Sequence, residues 1–299
     1  MATASCCPLC ASAQATFLLR WGESEWFECE NCRGCWIGKV PFDDPRDLYR
    51  EAYYAPESGR LISDWWDFET GSRNQFQWIL RESRRRVGHG RWLDVGCGGG
   101  FFLKLCRDAG YEIAGVELAR QARQTANDLL SIDIAADPIE DCKFASESFD
   151  VISLNNVLEH LPAPIRTLRE VHRVLRPGGL VTISVPNASF GKFVVKYLTP
   201  VARLLRQRSP IYSLAVFDAT MHVYAFSPTA LQSAIEQAQF RNVELFNEVP
   251  VLNFMRPLRN LTKRGQYRTA VILRSVLGPL RLTGHGITAF ARKYSDRTS

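Results

Sequence analysis

The sequence predicts an α/β fold, doubly wound around a mostly parallel sheet, with a small cysteine-rich segment in front of it. Two observations predict the sheet. From residue 91 onward, short apolar runs alternate with amphipathic stretches of helical period. Gly and Pro punctuate the changes from one to the other, as in Pro177-Gly178-Gly179. Because parallel strands are joined by right-handed crossovers, this alternation places helices on both faces of the sheet.

Each element of the sheet domain has a local signal. The strands are short apolar runs between turn residues, and they are predicted at 92–95, 111–117, 132–136, 149–154, 180–185, 241–247 and 286–293. The helices are longer and amphipathic, and they are predicted at 71–87, 101–108, 120–130, 165–175 and 228–238. This set implies seven strands.

The length of 299 residues suits one large domain with an appendage. We assign residues 1–40 to a cysteine-rich unit, residues 41–74 to a connector rich in aromatic residues and residues 75–299 to the α/β domain. No stretch approaches the roughly 18 apolar residues of a membrane span, which excludes an integral membrane protein. The start of the chain lacks a basic segment followed by an apolar run, so no secretory signal is predicted and a cytoplasmic location is expected.

Six of the nine cysteines lie in the first 35 residues, and a reducing cytoplasm does not favour disulfides. Cys7 and Cys10 form one C-x-x-C pair, and Cys29 and Cys32 form a second pair 18 residues later. This spacing is typical of a structural zinc ribbon, in which four thiolates close a tetrahedral site. Cys6 and Cys35 are spare, and Cys35 is an alternative to Cys29 or Cys32 as a ligand. A redox C-x-x-C motif would need a βαβ context that is absent here.

The first strand of the α/β domain ends with Asp94-Val95 and leads into a glycine-rich loop, Gly96-Cys97-Gly98-Gly99-Gly100. Missing side chains let the backbone of such a loop approach a ligand closely. Glu117 ends the next strand, where a carboxylate can accept both hydroxyls of a ribose. Asp137 follows the third strand. A dinucleotide-binding loop would have a further glycine where Phe101 stands, so a dinucleotide is disfavoured as the ligand. The alternative to a ligand-binding loop is a tight strand-to-helix turn that binds no ligand.

Four ordered motifs make residues 75–293 similar to class I S-adenosylmethionine-dependent methyltransferases. They read LDVGCGGGFFL, GVELA, FDVISLNNVLEHL and REVHRVLRPGGLVTISVPN. The resemblance implies a Rossmann-like sheet, S-adenosylmethionine as cofactor and methyl transfer as the activity. It also implies that Asp94 and the glycine loop contact the methionine part of the cofactor, Glu117 the ribose, Asp137 the adenine amine, and that Asn155 lies near the sulfonium. The full set of implied cofactor residues is Asp94, Gly96, Cys97, Gly98, Gly100, Glu117, Leu118, Asp137, Pro138 and Asn155.

Methyl transfer from a sulfonium is an in-line displacement, so positioning of the acceptor supplies much of the rate enhancement and a general base is optional. Glu159 and His160 are candidate catalytic residues because they follow the fourth strand, where catalytic groups sit in open α/β sheets. Histidine can take a hydroxyl proton near neutral pH. His222, shortly before Phe226-Ser227-Pro228, is a further candidate. The alternative for each histidine is a structural hydrogen bond or helix cap.

The formal charge of +6 is concentrated in two segments without acidic residues, 187–213 and 250–283. Apolar residues interleave with the basic ones in both. Three interpretations remain open: a lid over the acceptor pocket, a helix lying peripherally on an anionic inner membrane face, and an RNA-binding surface. Nucleic acid is the least favoured partner.

A zinc ribbon before this domain is similar to two groups of methyltransferases. Bacterial enzymes acting on sugars, cell-surface glycans and secondary metabolites have an aromatic connector like DLYREAYY here. Ribosomal RNA guanine methyltransferases complete the ribbon with histidine, whereas Cys29 and Cys32 complete it here. We therefore predict O-methylation of a small-molecule, sugar or lipid-linked glycan hydroxyl, with ribosomal RNA methylation as the alternative. An inactive cofactor-binding platform is disfavoured by the intact glycine loop.

Overall fold

In a computed structural model of the chain, the structure describes residues 6–21, 24–40, 42–48, 62–193, 195–196, 215–217, 222–247 and 286–294. The chain forms two compact units. The first, here called the ribbon unit, comprises Met1–Lys39, Val185–Leu231 and Leu245–Thr288. The second, here called the sheet unit, comprises Val40–Ser184, Gln232–Glu244 and Ala289–Ser299.

The strands and helices are numbered in chain order over the described residues. The strands are β1 Ala15–Trp21, β2 Ser24–Cys29, β3 Cys35–Ile37, β4 Arg91–Val95, β5 Glu112–Val116, β6 Phe149–Asn155, β7 Leu175–Pro186, β8 Tyr224–Ala225, β9 Arg241–Asn247 and β10 Gly286–Arg292. The α-helices are α1 Ile62–Val87, α2 Phe101–Asp108, α3 Arg120–Leu130, α4 Pro164–Val174, α5 Ala188–Phe193 and α6 Pro228–Gln237.

The larger sheet has the order β5-β4-β6-β7-β10-β9. Strand β4 is parallel to β5 on one side and to β6 on the other, and β6 is parallel to β7. The chain therefore runs outward from β4 in both directions, which makes the end of β4 a topological switch point. In open α/β sheets, ligands bind outside the carboxyl ends of the strands at such a point. The glycine loop leaves β4 there.

The predicted fold class is confirmed: the chain has a Rossmann-like fold with a mostly parallel central sheet. The third of the seven predicted strands, at 132–136, is reduced to a single parallel bridge between Val116 and Ala135. Strand β7 begins at Leu175, earlier than predicted. Helix α4 ends at Val174, and Pro177-Gly178-Gly179 lie within β7 instead of preceding it. Helix α1 also begins earlier, at Ile62.

The core of the sheet unit is built around β4, whose residues from Trp92 to Val95 are all buried. Strands covered by helices on both faces are buried on both sides, which explains their continuous apolar runs. The Trp92 ring packs edge to face against Phe102 of α2 and against Tyr111, at centroid distances of 5.5 and 5.0 Å. Its indole N–H donates to the Ser153 hydroxyl at 2.8 Å. The buried Trp92 side chain therefore contacts Ser153, which in turn donates to Asp94 beside the glycine loop.

The ribbon unit contains a four-stranded sheet in the order β1-β2-β3-β8. Strands β1 and β2 form an antiparallel hairpin, with Ala15 opposite Cys29. Strand β8 comes from the far part of the chain and pairs antiparallel with β3. The cysteine-rich segment therefore shares a compact unit with residues 185–231. The sequence-based domain boundaries stay a prediction.

Several predicted features lie outside the described residues. They are the basic segment 250–283, all of segment 187–213 after residue 196, residue 194, and the connector between residues 49 and 61. Of the helices within the described part of the chain, none combines the length and the apolar character needed to span a bilayer. Peripheral membrane contact stays a prediction.

Candidate cofactor site and cysteine cluster

Three of the predicted cofactor residues lie at the carboxyl ends of neighbouring strands. In the register of the sheet, Asp94 of β4 lies opposite Gly115 of β5 and Ser153 of β6. Glu117 is the first residue after β5, and Asn155 is the last residue of β6. The parallel pairing therefore brings Asp94, Glu117 and Asn155 to one edge of the sheet.

Asp94 is a buried carboxyl group held by hydrogen bonds from β6. Its Oδ1 accepts from the Ser153 hydroxyl at 2.5 Å and from the Asn155 amide at 3.4 Å. Burial and, to a smaller extent, the nearby charge of Glu117 raise the pKa of Asp94 to about 7, although the hydrogen bonds from Ser153 and Asn155 oppose the shift. The sequence analysis missed Ser153, because a serine inside an apolar strand gives no signal of the partner it will face.

Glu117 is also buried, and both of its carboxylate oxygens accept backbone N–H groups. Gly98 N donates to Oε2 and Ala119 N donates to Oε1, each at 2.8 Å. Burial raises the pKa of Glu117, and these two hydrogen bonds partly oppose the shift. A carboxylate has about four acceptor positions, so the fixed oxygens can still receive two ribose hydroxyls.

The backbone N–H groups of the glycine loop are largely used within the protein. Gly96 N and Cys97 N donate to the Val116 carbonyl, Gly98 N to Glu117, and Gly100 N to the Cys97 carbonyl. A loop that binds pyrophosphate needs such groups to point at the anion. Here most of the N–H groups of the loop already donate to protein oxygens, and the carboxyl groups of Asp94 and Glu117 are buried beside the loop. This arrangement favours a ligand carrying hydroxyls and positive charge over a dinucleotide.

Asn155 supplies a further acceptor at the same edge. Its Oδ1 is buried and has no hydrogen-bond partner among the described residues. A buried carbonyl oxygen of this kind is costly unless a ligand donates to it or is attracted by it. Together with the carboxylates of Asp94 and Glu117, it makes a set of acceptors that fits the ammonium, the sulfonium and the ribose of S-adenosylmethionine.

Asp137 is exposed and lies two residues after Ala135, which contacts Glu117. Residue Ala135 bridges to Val116, and its carbonyl accepts from the Glu117 N–H at 2.9 Å. An arginine that the sequence analysis did not single out reaches Asp137: Arg46 Nη1 lies 3.2 Å from Asp137 Oδ1. The two residues are 91 positions apart, so no local pattern could have indicated the pair. The adenine-binding role of Asp137, with Leu118 and Pro138, stays a prediction.

The candidate general bases lie in both units. Glu159 and His160 belong to a buried 3-10 turn, Leu158–His160, in the sheet unit, and His160 Nε2 lies 3.8 Å from Glu159 Oε1. His222 belongs to the ribbon unit, where its Nδ1 lies 3.3 Å from the Val216 carbonyl oxygen. The roles of all three in catalysis stay predictions.

The four cysteines of the two C-x-x-C pairs lie together in the ribbon unit, with their sulfur atoms within 4.8 Å of one another. Cys7 Sγ is 3.7 Å from Cys32 Sγ, and Cys10 Sγ is 3.6 Å from Cys29 Sγ. A tetrahedral zinc ion with Zn–S bonds of about 2.3 Å separates its sulfurs by about 3.8 Å. The hydrogen bond between the Cys7 and Cys32 sulfurs lowers the pKa of Cys7 and raises the pKa of Cys32, so this pair of thiols shares one proton. The cluster thus fits zinc in both spacing and ligand chemistry.

The two knuckles of the cluster have the same local geometry. In the first, Ala11 N donates to the Cys7 carbonyl, and Ala11 has a positive φ of 60°. In the second, Arg33 N donates to the Cys29 carbonyl, and Arg33 has a φ of 61°. The spare cysteines differ from these: Cys6 is exposed, and Cys35 is buried outside the group of four. Burial raises the pKa of Cys35 to about 12, so its thiol is neutral at physiological pH.

The fold and the acceptor-lined site define a class I S-adenosylmethionine-dependent methyltransferase. Comparison with known proteins leads to the same class. Residues 69–245 match the family described as Methyltransferase domain. This match covers more than half of the chain, and the protein belongs to that family.

Several similar proteins carry a more specific name. The ubiquinone biosynthesis O-methyltransferase of Bordetella bronchiseptica is 27% identical over 201 residues, which are 62% of this chain and 80% of that protein. Its namesake from Ralstonia nicotianae is 28% identical over 198 residues, covering 62% and 81%.

Solved structures resemble the fold at lower identity. A SAM-dependent methyltransferase from Archaeoglobus fulgidus has a TM-score of 0.51 at 19% identity, with 77% of this chain and 99% of that chain covered. Phosphoethanolamine N-methyltransferase 2 of Haemonchus contortus, in complex with S-adenosyl-L-methionine, has a TM-score of 0.57 at 16% identity, with 94% and 71% covered. These likenesses support the fold.

Gly96 tests the packing of the loop. Its φ is +73°, and an added Cβ would lie 2.6 Å from Val157 Cγ2. Gly88 has a similar φ of +82° with nothing within 4 Å of an added Cβ, so Gly88→Ala is a matched control for backbone strain. We expect Gly96→Ala to lower the free energy of unfolding by about 1 to 3 kcal/mol more than Gly88→Ala in urea denaturation. Adding Val157→Ala should restore part of this difference, and equal losses at the two glycines would contradict the packing argument.

Glu117→Ala tests the ribose-binding carboxylate. It removes the acceptor of two hydroxyls, and we expect cofactor affinity to fall by about 1 to 3 kcal/mol, or about 5- to 150-fold, in titration calorimetry. Glu112→Ala is the control, because Glu112 is exposed on the same strand and pairs with Arg91 at 2.8 Å. A thermal melt confirms that each variant is folded. Unchanged affinity in a folded Glu117→Ala protein would refute the assignment.

The pKa of Asp94 predicts that cofactor affinity rises with pH. Below about pH 7 the folded protein holds a neutral acid, and above it a carboxylate that attracts the cationic cofactor. The ionised fraction grows from about a tenth at pH 6 to about nine tenths at pH 8, so calorimetry should show about a tenfold gain in affinity. The cofactor-free fold should lose stability from about pH 4 to about pH 7, because the unfolded carboxyl ionises first. Asp94→Asn should weaken both effects, with Glu117 retaining a raised pKa of its own, and an identical pH profile in that variant would contradict the assignment.

Proposed function

We propose that the protein is an O-methyltransferase that acts on a small-molecule hydroxyl, such as that of a sugar or a lipid-linked glycan. The observation that carries this proposal is the similarity, over about 200 residues, to enzymes named as O-methyltransferases of ubiquinone biosynthesis. The segment at the end of β6, Ser153-Leu154-Asn155-Asn156, also lacks the Asp/Asn-Pro-Pro-aromatic signature common in methylation of amino groups on bases.

The chain supplies binding and proton transfer, and the cofactor supplies an electrophilic methyl group on a sulfonium. Asp94 and Glu117 would hold the cationic and hydroxyl-bearing parts of S-adenosylmethionine, and the acceptor hydroxyl must be oriented for in-line attack. His160 is proposed to take the hydroxyl proton at Nε2. The Glu159 carboxylate, 3.8 Å away, would stabilise the imidazolium that forms. His222 is the alternative base.

We also propose that Cys7, Cys10, Cys29 and Cys32 hold one structural zinc ion. The sulfur spacing and the matching knuckle turns support this ligand set. Four thiolates leave no open coordination position, so the ion would stabilise the fold rather than activate a substrate.

Transfer of labelled methyl groups to a fractionated cell extract tests the acceptor class. The purified chain is incubated with labelled S-adenosylmethionine, and label is followed into small molecules, glycans, lipids and RNA. Label that is stable as an ether in a small-molecule or glycan fraction supports the proposal. Label in ribosomal RNA would establish the alternative, and cofactor binding without any transfer would indicate an inactive platform.

A further inference from the structure

The cysteine cluster of the ribbon unit is joined to the part of the chain that carries His222. Strand β3 pairs with β8, so Cys35 lies opposite Ala225 and Trp36 lies opposite Tyr224. Ile37 N donates to the Val223 carbonyl at 3.1 Å. His222 is the residue immediately before Val223. Strand β3, which follows the cysteine cluster, therefore holds the backbone next to His222, one of the candidate bases.

A second connection joins a cluster cysteine to the start of α6. The Ser227 hydroxyl donates to the Cys32 carbonyl at 2.5 Å across 195 positions of sequence. The same hydroxyl accepts from Ala230 N at 3.0 Å, which makes Ser227 the N-cap of α6. Ser227 is 2% exposed, so no water replaces these partners. The knuckle and the helix start share one hydroxyl group.

Close packing reinforces this connection. A Cβ added to Gly34 would lie 2.7 Å from the Ala230 Cβ and 2.8 Å from Leu9 Cδ1. Leu9 and Ala230 are fully buried. The first turn of α6 therefore rests directly on the two knuckles, with no room for a side chain between them.

The ring of His222 is held by the same unit. Its Nδ1 lies 3.3 Å from the Val216 carbonyl oxygen. Phe217, the residue after Val216, packs edge to face on Trp26 of β2 at 5.3 Å, and both aromatic rings are fully buried. An additional ion pair joins Lys192 of α5 to the buried Glu28 of β2. The ribbon thus restrains His222 through its backbone and through its side chain.

We propose that the cysteine cluster, when it holds zinc, positions the segment His222–Leu231, with Ser227 as the positioning residue that connects the two. Zinc binding folds a small cysteine-rich unit, because the knuckle turns do not persist without the ion. The loss of zinc would release the Cys32 carbonyl and strand β3, and with them the supports of His222. This proposal rests on the proposed zinc site. Cofactor binding, which depends on Asp94 and Glu117, should not change.

Hydrogen exchange of the full chain, read by mass spectrometry, tests the coupling without an acceptor. We expect chelation of zinc to speed exchange in 222–231 at least tenfold and to leave 91–116 within twofold. Ser227→Ala should retain one zinc per chain and yet speed exchange at 227–231 several-fold, and Ser227→Thr should restore most of the protection. Ser12→Ala is the control, because its hydroxyl accepts only an exposed bond from Gln14 N.

Two further readouts distinguish positioning from general stability. The imidazole resonance of His222, assigned with His222→Gln, should shift in Ser227→Ala and return in Ser227→Thr. Once an acceptor is identified, Ser227→Ala should lower kcat with an unchanged KM for the cofactor. Exchange in 222–231 that is unaffected by both zinc removal and Ser227→Ala would overturn the proposal. A failure to methylate any hydroxyl would instead refute the proposed function and leave the exchange result standing.

Discussion

Cys10→Ser is expected to abolish zinc binding and to unfold residues 6–37 of the ribbon. Apparent zinc binding free energies of about 10 to 16 kcal/mol are folding free energy in small zinc domains, so losing one of four thiolates removes most of the stability of such a unit. Elemental analysis should fall from one zinc per chain to nearly none. Cofactor affinity, measured by calorimetry, should remain within about twofold of the wild type.

Cys6→Ser is the matched control for this experiment. Cys6 is the exposed neighbour of Cys7 and lies outside the group of four sulfurs, so its replacement should retain the full zinc content. Wild-type protein prepared without chelators that contains no zinc would contradict the site. Equal loss of zinc in both variants would indicate that the cysteines do not act as the proposed set.

His160→Gln is expected to lower kcat by about 10²- to 10⁴-fold with little change in cofactor affinity. General base catalysis contributes rate enhancements of this size, and glutamine fills a similar volume without accepting a proton at neutral pH. Initial rates with the identified acceptor measure the effect.

His172→Gln is the control, because His172 of α4 packs edge to face on Phe240 at 5.0 Å within the sheet unit. It should leave kcat within about twofold. If His160→Gln retained full activity, His160 would be a packing residue. His222→Gln then becomes the decisive variant, and a loss there would assign the base to the ribbon unit.

Local patterns in the sequence predicted the elements that carry the cofactor site. Helices α2 and α3 and strand β9 have the predicted bounds, and the other described strands of the sheet differ mainly at their ends, β7 most of all. The position of Asp94, Glu117 and Asn155 at one edge also followed, because parallel strands present their carboxyl ends together. The cysteine quartet was predicted from spacing alone, since a knuckle is a local turn. These features depend on residues that are close in sequence.

The partners of these residues were decided only by the tertiary structure. Ser153 beneath Asp94, Arg46 on Asp137 and Ser227 on Cys32 are pairs separated by 59, 91 and 195 positions. No periodicity or motif encodes such a pair, because each depends on how distant segments meet in three dimensions.

The two-residue strand β8 shows the same limit most clearly. Tyr224 and Ala225 are too few to produce a strand pattern, and they form a strand because β3 offers them an unpaired edge. The sequence by itself therefore predicted the methyltransferase sheet, the acidic and amide residues at the edge beside the glycine loop and a four-cysteine cluster. Only the folded chain decided that the ribbon shares its sheet with the segment after His222, because hydrogen bonding between strands is satisfied by proximity in space and not by order along the chain.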